Sequence, residues 1–273
     1  MTWTAERPAA VAGTFYEGDP AALTSDVERM LAAAQPVDPP SGRLRGLIVP
    51  HAGHVYSGPV AATGYRLLRL EVAAASPVRR VVLLGPDHFV GIRGMAVPTV
   101  EHFRTPLGTI PLDESLRTAA LSVPGVRGDD AAHSREHSLE VQLPFLQRVL
   151  TTGWTLLPVV VGAAEPEEVA ALLAATVTGL DVLLLISTDL SHYHDHATAQ
   201  RLDQRTCAAI EALDETAIGT ADACGRYPLR GAMAWARRQG WQVTLLDRRT
   251  SADTAGDPHR VVGYGTFAIT EPV

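Results

Sequence analysis

The sequence predicts a single α/β domain with a mainly parallel sheet between helices. Three observations carry this. Short, continuous runs of Leu, Ile and Val alternate with longer amphipathic stretches along all 273 residues. The apolar runs are unbroken, as expected of strands covered on both faces. Alternation of strand and helix implies parallel strands joined by helical crossovers.

In chain order, strands are expected at Leu44–Val49, Arg80–Leu84, Thr155–Val161, Asp181–Ser187, Gln242–Leu246 and Tyr264–Ile269. Pro158 is a weak point in the third, because proline cannot donate to a sheet ladder. Helices are expected at Ala21–Ala34, Pro59–Leu70, Leu139–Leu150, Pro166–Thr178, Ala197–Leu213 and Pro228–Gln239. Pro166 and Pro228 suit a first helical turn, where the missing N–H costs nothing. The segment Asp113–Asp130 reads as a surface excursion. No repeat or linker divides the chain, so residues 1–273 are taken as one domain.

Composition narrows the function. Hydrophobic residues make up 46% and charged residues 19%, which supports a sizeable core and excludes disorder as the main state. The formal charge of -7, with no basic run, argues against nucleic-acid binding, which requires phosphate neutralisation. No apolar run reaches membrane-spanning length. MTWTAERPAAVAGTFY lacks the charged start and apolar core of a leader. Cys207 and Cys224 do not form a disulfide framework. A cytoplasmic, reducing environment is therefore expected, where a cysteine is free to ligate or react.

Chemistry concentrates where strands end. His51 follows Val49, His88 follows Leu84 and His192 follows Ser187. In open α/β sheets, ligands bind beyond the carboxyl ends of the strands, so these three histidines should converge. Imidazoles joined by an anion are typical transition-metal ligands. Cys224, in ACGRYP before an expected helix, is the candidate third ligand, since a helix N-terminus favours the thiolate. On spacing alone a single cysteine reads more often as a small buried hydrophobe. Cys207 is read that way. Asp189, in STDLSH, reads locally as a turn or cap residue. Glu136, His137 and Glu140, in REHSLEVQLPF, are either helix-capping groups or groups supporting an acid–base site. The HYHDH run presents only part of its histidines inward, with His192 nearest the strand. The sequence lacks the H-E-x-x-H zinc motif, the nucleotide-binding glycine loops and the G-x-S-x-G elbow.

The ordered blocks RPAAVAGTFYEGDP, VPHAGHVYSGPVAA, LLGPDHF, EHSLEVQLPFL, ISTDLSHY, CGRYPL and GYGTFAI resemble the Memo family, whose prokaryotic members are also called AmmeMemoRadiSam system protein B. The resemblance spans Arg7 to Ile269. It implies a fold similar to class III extradiol dioxygenases and a metal site on His51, His88 and Cys224. It places His192 at an acid–base position and turns Asp189, His137 and Glu140 toward the pocket. Asp87 stands where the second block usually carries Ser. Ring-cleaving enzymes carry a carboxylate where this chain has Cys224, so the resemblance does not extend to ring cleavage itself. It implies iron(II) or copper, with zinc as a third option, and association with AMMECR-type and radical-SAM proteins. A redox metalloenzyme acting on a small molecule, a non-catalytic binding protein on the same scaffold, and a metal-dependent hydrolase are the readings carried forward.

Overall fold

The computed structural model describes residues 6–73, 78–150 and 152–272, with the side chains of residues 71–73 excepted. The first five residues of the stretch read as lacking a leader lie outside the described residues. The strands are β1 Glu6–Arg7, β2 Arg43–Val49, β3 Arg80–Pro86, β4 Met95–Val97, β5 His102–Thr105, β6 Gly108–Pro111, β7 Val126–Gly128, β8 Thr155–Val161, β9 Val182–Ser187, β10 His192–His194, β11 Gln242–Thr250 and β12 Val261–Glu271. The helices are α1 Pro20–Ala33, α2 His54–Ala73, α3 Glu114–Leu121, α4 Asp130–Ser134, α5 His137–Glu140, α6 Leu143–Val149, α7 Pro166–Thr176, α8 His196–Glu211 and α9 Arg226–Gln239.

A nine-stranded sheet runs β10-β12-β2-β9-β3-β8-β4-β7, with β11 also on β12; β1, β5 and β6 form a separate small sheet. Side chains alternate strictly between the two faces. Val82, Leu84, Leu184 and Ile186 enter one apolar cluster with α3, α7, α8 and α9. Val81, Leu83, Leu183 and Leu185 enter another with α1, α2, α5 and α6. The period of two along each strand therefore builds a three-layer α/β domain. Each fully buried Leu or Val contributes about 1.5–3 kcal/mol.

The expectation of a mainly parallel sheet is corrected: the sheet is mixed. β2-β9, β9-β3, β3-β8 and β4-β7 are parallel. β10-β12, β11-β12, β12-β2 and β4-β8 are antiparallel. Loop length explains this. A parallel return needs a crossover of a dozen or more residues. The links from β11 to β12 and from β3 to β4 are shorter than that. The four-strand parallel centre is the part that the alternation of the sequence predicts correctly.

Three further details differ from expectation. Asp113–Asp130 is not a mere excursion: Leu116 and Ala120 of α3 are buried, and β7 forms the sheet edge. The single helix expected at Leu139–Leu150 is two helices, α5 and α6. Pro144 has no N–H to give to the Glu140 carbonyl, so the backbone reorganises at Val141–Gln142. Helix α2 begins five residues before Pro59, with the amides of Tyr56 and Ser57 bonded to the Gly53 carbonyl at 2.8 and 3.1 Å. Pro158 sits inside β8, opposite Leu83 of β3, where β4 does not extend. Its missing donor is therefore tolerated there.

Two histidines outside the strand-end crevice make the fold acid-sensitive. Burial lowers His133 to about 4 and also lowers His54. Both are neutral in the folded state and take up a proton on unfolding. Their contribution is full above about pH 6.5 and is lost as pH falls toward the folded value. His133 alone corresponds to about 2–3 kcal/mol between pH 6.5 and 4.5. Thermal unfolding should show a markedly lower midpoint at pH 4.5 than at pH 7.5, and His133→Gln should flatten that dependence. An unchanged slope in the variant would contradict the assignment.

Candidate metal centre

Strands β2, β9 and β3 are adjacent and parallel, so their carboxyl ends lie side by side. β2 and β3 are two strand spacings apart, about 10 Å, and imidazoles reaching inward from each end can meet. His51 follows β2 and is 1% exposed. His88 follows β3 at the mouth of the crevice. His137 opens α5 beside them. One ring nitrogen from each of His51, His88 and His137 lies within 4.8 Å of the others. The His88 and His137 rings stack at 4.6 Å, and His51 meets them edge-on at 5.3 and 5.6 Å.

Hydrogen bonds fix which nitrogens face the crevice. The Ser187 hydroxyl donates to the Ser138 carbonyl at 2.6 Å. Gln142 Nε2 donates to Ser187 Oγ at 2.9 Å. Gln142 is itself oriented by Tyr65, whose hydroxyl donates to its Oε1 at 2.9 Å. Ser187 Oγ, 3.0 Å from His51 Nδ1, is thus left as an acceptor. His51 Nδ1 carries the proton and Nε2 presents a lone pair. His88 Nδ1 donates to Glu136 Oε1 at 2.9 Å, so its Nε2 is likewise free. A carboxylate behind a histidine orients the ring and raises its basicity as a ligand. His137 Nδ1 is buried, lies 3.6 Å from Glu136 Oε1 and makes no hydrogen bond among the described residues.

Glu136 also accepts the backbone N–H of His88 and of Ser138, at 2.9 and 2.8 Å. The sequence left open whether this cluster caps a helix or supports a site; Glu136 does both. Burial opposes its charge, but the His88 bond and charge hold it down to about 2. Burial opposes a charge on His88 too, yet Glu136 outweighs it and keeps His88 above the ordinary histidine value. Burial, then neighbouring imidazoles, lower His51 to about 3 and His137 to about 4, leaving both neutral as ligands must be.

Cys224 lies just before α9 with Sγ 3.1 Å from His51 Nε2. The backbone N–H of Asp189 donates to the sulfur at 3.3 Å. The expectation of an acidified thiol is corrected. Burial, with Asp189 second, pushes the Cys224 thiol up, and the helix terminus does not compensate. Since His51 Nε2 is an acceptor, the thiol S–H donates to it. An ion at this point would displace that proton and meet a thiolate.

Asp189 is not a simple turn residue. It is buried and accepts the N–H groups of His51 and Ala52 at 2.6 and 3.3 Å, tying the end of β9 to the histidine loop. Burial raises it, against the hydrogen bonds from those amides. His192 is half-buried; its Nδ1 donates to the Leu190 carbonyl at 2.8 Å, leaving Nε2 free. Glu140 is placed elsewhere. Its carboxylate is 0% exposed and takes four donors from the N-terminal segment. These are Arg7 Nη1 at 2.6 Å, the Tyr16 hydroxyl at 2.6 Å, and the amides of Ala10 and Val11 at 2.8 and 3.0 Å. Cys207 is buried, and burial pushes its thiol up to about 12.

Sequence reasoning underrated Ser187 and Gln142, which set the His51 tautomer. No motif marks them: Ser187 is the last residue of an apolar strand, and Gln142 lies in the helix break that Pro144 creates. One position in β12 is tightly fitted. A Cβ at Gly263 would lie 1.9 Å from Asp203 Oδ2, while Gly263 exchanges backbone bonds with Leu190 and Ser191. Gly263→Ala should destabilise by about 1–3 kcal/mol. It should also shift the His192 resonances in an NMR comparison; unchanged stability and resonances would contradict the packing argument.

The fold and crevice thus define an α/β protein with three histidines gathered at its strand ends that could hold a metal ion. The Memo-like protein family model matches residues 7–268. The chain is 36% identical to a MEMO1 family protein of Methanopyrus kandleri, covering 97% of this chain and 99% of the relative. It is 34% identical to MEMO1 family proteins of Sulfolobus acidocaldarius and Aquifex aeolicus, covering 93% and 94% of this chain and 96% and 97% of theirs. The chain belongs to the Memo family. No helix among the described residues is long and apolar enough to cross a membrane.

Proposed function

We propose that the protein is a metal-dependent oxidoreductase acting on a small organic molecule in the strand-end crevice. The ion would be iron(II) or copper, held by His51, His88, His137 and Cys224. The observation that carries this is the meeting of three imidazoles, two with tautomers fixed to present Nε2, beside a thiol. The residues fit a cation on their own chemistry: one nitrogen of each ring gathers with the others without a hydrogen bond between the rings, and buried His137 Nδ1 makes no hydrogen bond among the described residues. Imidazole with a soft thiolate suits iron or copper, and zinc also accepts such a set.

When bound, such an ion supplies one-electron chemistry and a binding point for oxygen or substrate. The chain's own part is orientation and proton transfer. Ser187 and Glu136 hold His51 and His88 in place. Asp189 clamps the His51 backbone and the Cys224 segment together. His192 Nε2, which makes no hydrogen bond among the described residues, would carry a proton between crevice and solvent.

The test is oxygen uptake by protein loaded anaerobically with iron(II) or copper(I), then exposed to air with a mild reductant. Uptake above that of the free ion, lost in His51→Ala, supports the reading. Retained metal with no uptake by either ion overturns the redox assignment.

A further inference from the structure

A second cavity lies apart from the histidine crevice. It spans about 350 Å³ between residues 13–17, Asp26 and Arg29 of α1, and His54 and Val55 at the start of α2. The crevice histidines and Cys224 do not line it. Phe15 borders both: its carbonyl accepts the backbone N–H of His54 at 2.7 Å, while its ring lies 4.6 Å from that of His137. A volume of this size is that of a small-ligand site, not of a single trapped water.

The cavity is rich in unused acceptors. His54 is 3% exposed, and its Nε2 lies 2.9 Å from the Val141 carbonyl. A carbonyl only accepts, so Nε2 carries the proton and Nδ1 keeps a lone pair. That Nδ1 is buried and makes no hydrogen bond among the described residues. Val141 is not part of the cavity, so Nδ1 is the ring nitrogen left for it. An orphaned buried acceptor is destabilising unless something donates to it. The Glu17 carboxylate likewise has no partner among the described residues. Asp26 is paired only with Arg29, one turn away on the exposed side of α1, and its charge reaches the His54 ring.

Donors are scarce by contrast. The amides of Gly13, Thr14 and Phe15 are committed within their own turn, to the carbonyls of Tyr16 and Val11. The Tyr16 hydroxyl is committed to Glu140. Two carboxylates against one guanidinium leave the lining net negative. An occupant must therefore bring both positive charge and N–H groups. A metal ion is a poor match: the group of three ligand atoms that lies within 4.8 Å among the described residues is the crevice cluster, and His54 is not in it.

We propose that this cavity binds a primary ammonium group, donating an N–H to His54 Nδ1 and setting its charge against Glu17 and Asp26. Val55 offers the attached carbon chain an apolar contact. The ammonium belongs to a free small amine or to a lysine side chain, which share this chemistry. The site does not depend on the metal reading of the crevice.

The full chain with isotope-labelled histidine would be titrated at neutral pH with propylamine, Nα-acetyl-lysine amide, propanol and propionate. The His54 Nδ1 resonance, assigned with His54→Gln, should shift saturably with an amine. The better amine should bind about fivefold or more tighter than propanol or propionate. Nα-acetyl-lysine amide binding as well as propylamine assigns the site to a lysine side chain, and weaker binding assigns it to a free amine. His54→Gln keeps an N–H for the Val141 carbonyl but loses the Nδ1 acceptor; calorimetry should show amine affinity weakened about 3- to 10-fold. Glu17→Gln, at an exposed position where the fold is not at risk, should weaken it about 2- to 5-fold. His88→Ala should leave amine binding unchanged. No saturable shift with either amine, a response to propanol equal to that of the amine, or unchanged affinity in both His54→Gln and Glu17→Gln would overturn the proposal. Loss of amine binding in His88→Ala would overturn it too, by placing the amine in the crevice.

Discussion

Glu140→Ala is expected to be the most damaging single substitution in the protein, costing about 3–5 kcal/mol of stability. Arg7 is 2% exposed and Glu140 0%, and the carboxylate gathers a guanidinium, a phenol and two amides. Removing it leaves a buried cation without its partner and three further donors unsatisfied. Arg7 also donates to the carbonyls of His133 and Glu136, at 2.7 and 2.9 Å, so the damage would reach the residues beside the histidine cluster. Glu140→Gln should be milder, because an amide oxygen still accepts, yet it leaves the guanidinium uncompensated. Chemical denaturation of the two variants and the wild type checks this. A loss below about 1 kcal/mol for Glu140→Ala would mean the N-terminal segment is not anchored as described.

The second large effect falls on metal affinity with little change in fold. Glu136→Gln keeps the shape and one acceptor oxygen for His88 Nδ1 and the Ser138 amide, but gives up the acceptor of the His88 amide and removes the charge behind His88. Such partners typically account for 10–100-fold in metal affinity. Affinity for the first ion should fall by about that factor, while unfolding free energy changes far less than in Glu140→Ala. Competition with a chelator of known strength reads this directly. Equal affinities would show that Glu136 serves only as the cap of α5.

These two glutamates show what the sequence conveyed and what it did not. Both lie in REHSLE, four residues apart, and on paper they were members of one cluster. Their separation depends on Arg7 and Tyr16, more than 120 positions away, and on a helix too short for its spacing to fix a common face. The parallel centre was legible because buried strands are written as unbroken apolar runs, and so was the meeting of His51 and His88 beyond strand ends, where His137 rather than His192 joins them. The antiparallel flanks were not, since strand direction follows from connection length rather than from strand composition. His137 reads in sequence either as part of a helix cap or as a group supporting an acid–base site; the break before Pro144 and the closeness of α5 to β3 turn its ring onto His88. The thiol of Cys224 was expected to be acidified by its helix, an inference that omitted burial and Asp189. Membership of the Memo family was legible in the ordered motifs, none of which depends on where the chain folds.

The central claim is that the histidines of this crevice hold one transition-metal ion. It is tested most directly by metal content after anaerobic loading with iron(II) or copper(I) and desalting. Wild type would be compared with His88→Ala, Cys224→Ser and His133→Gln, the last a buried histidine outside the crevice. The account predicts one ion per chain in the wild type and His133→Gln, none in His88→Ala, and weakened retention in Cys224→Ser. Wild-type protein that keeps no ion, or His88→Ala that keeps a full equivalent, would contradict it.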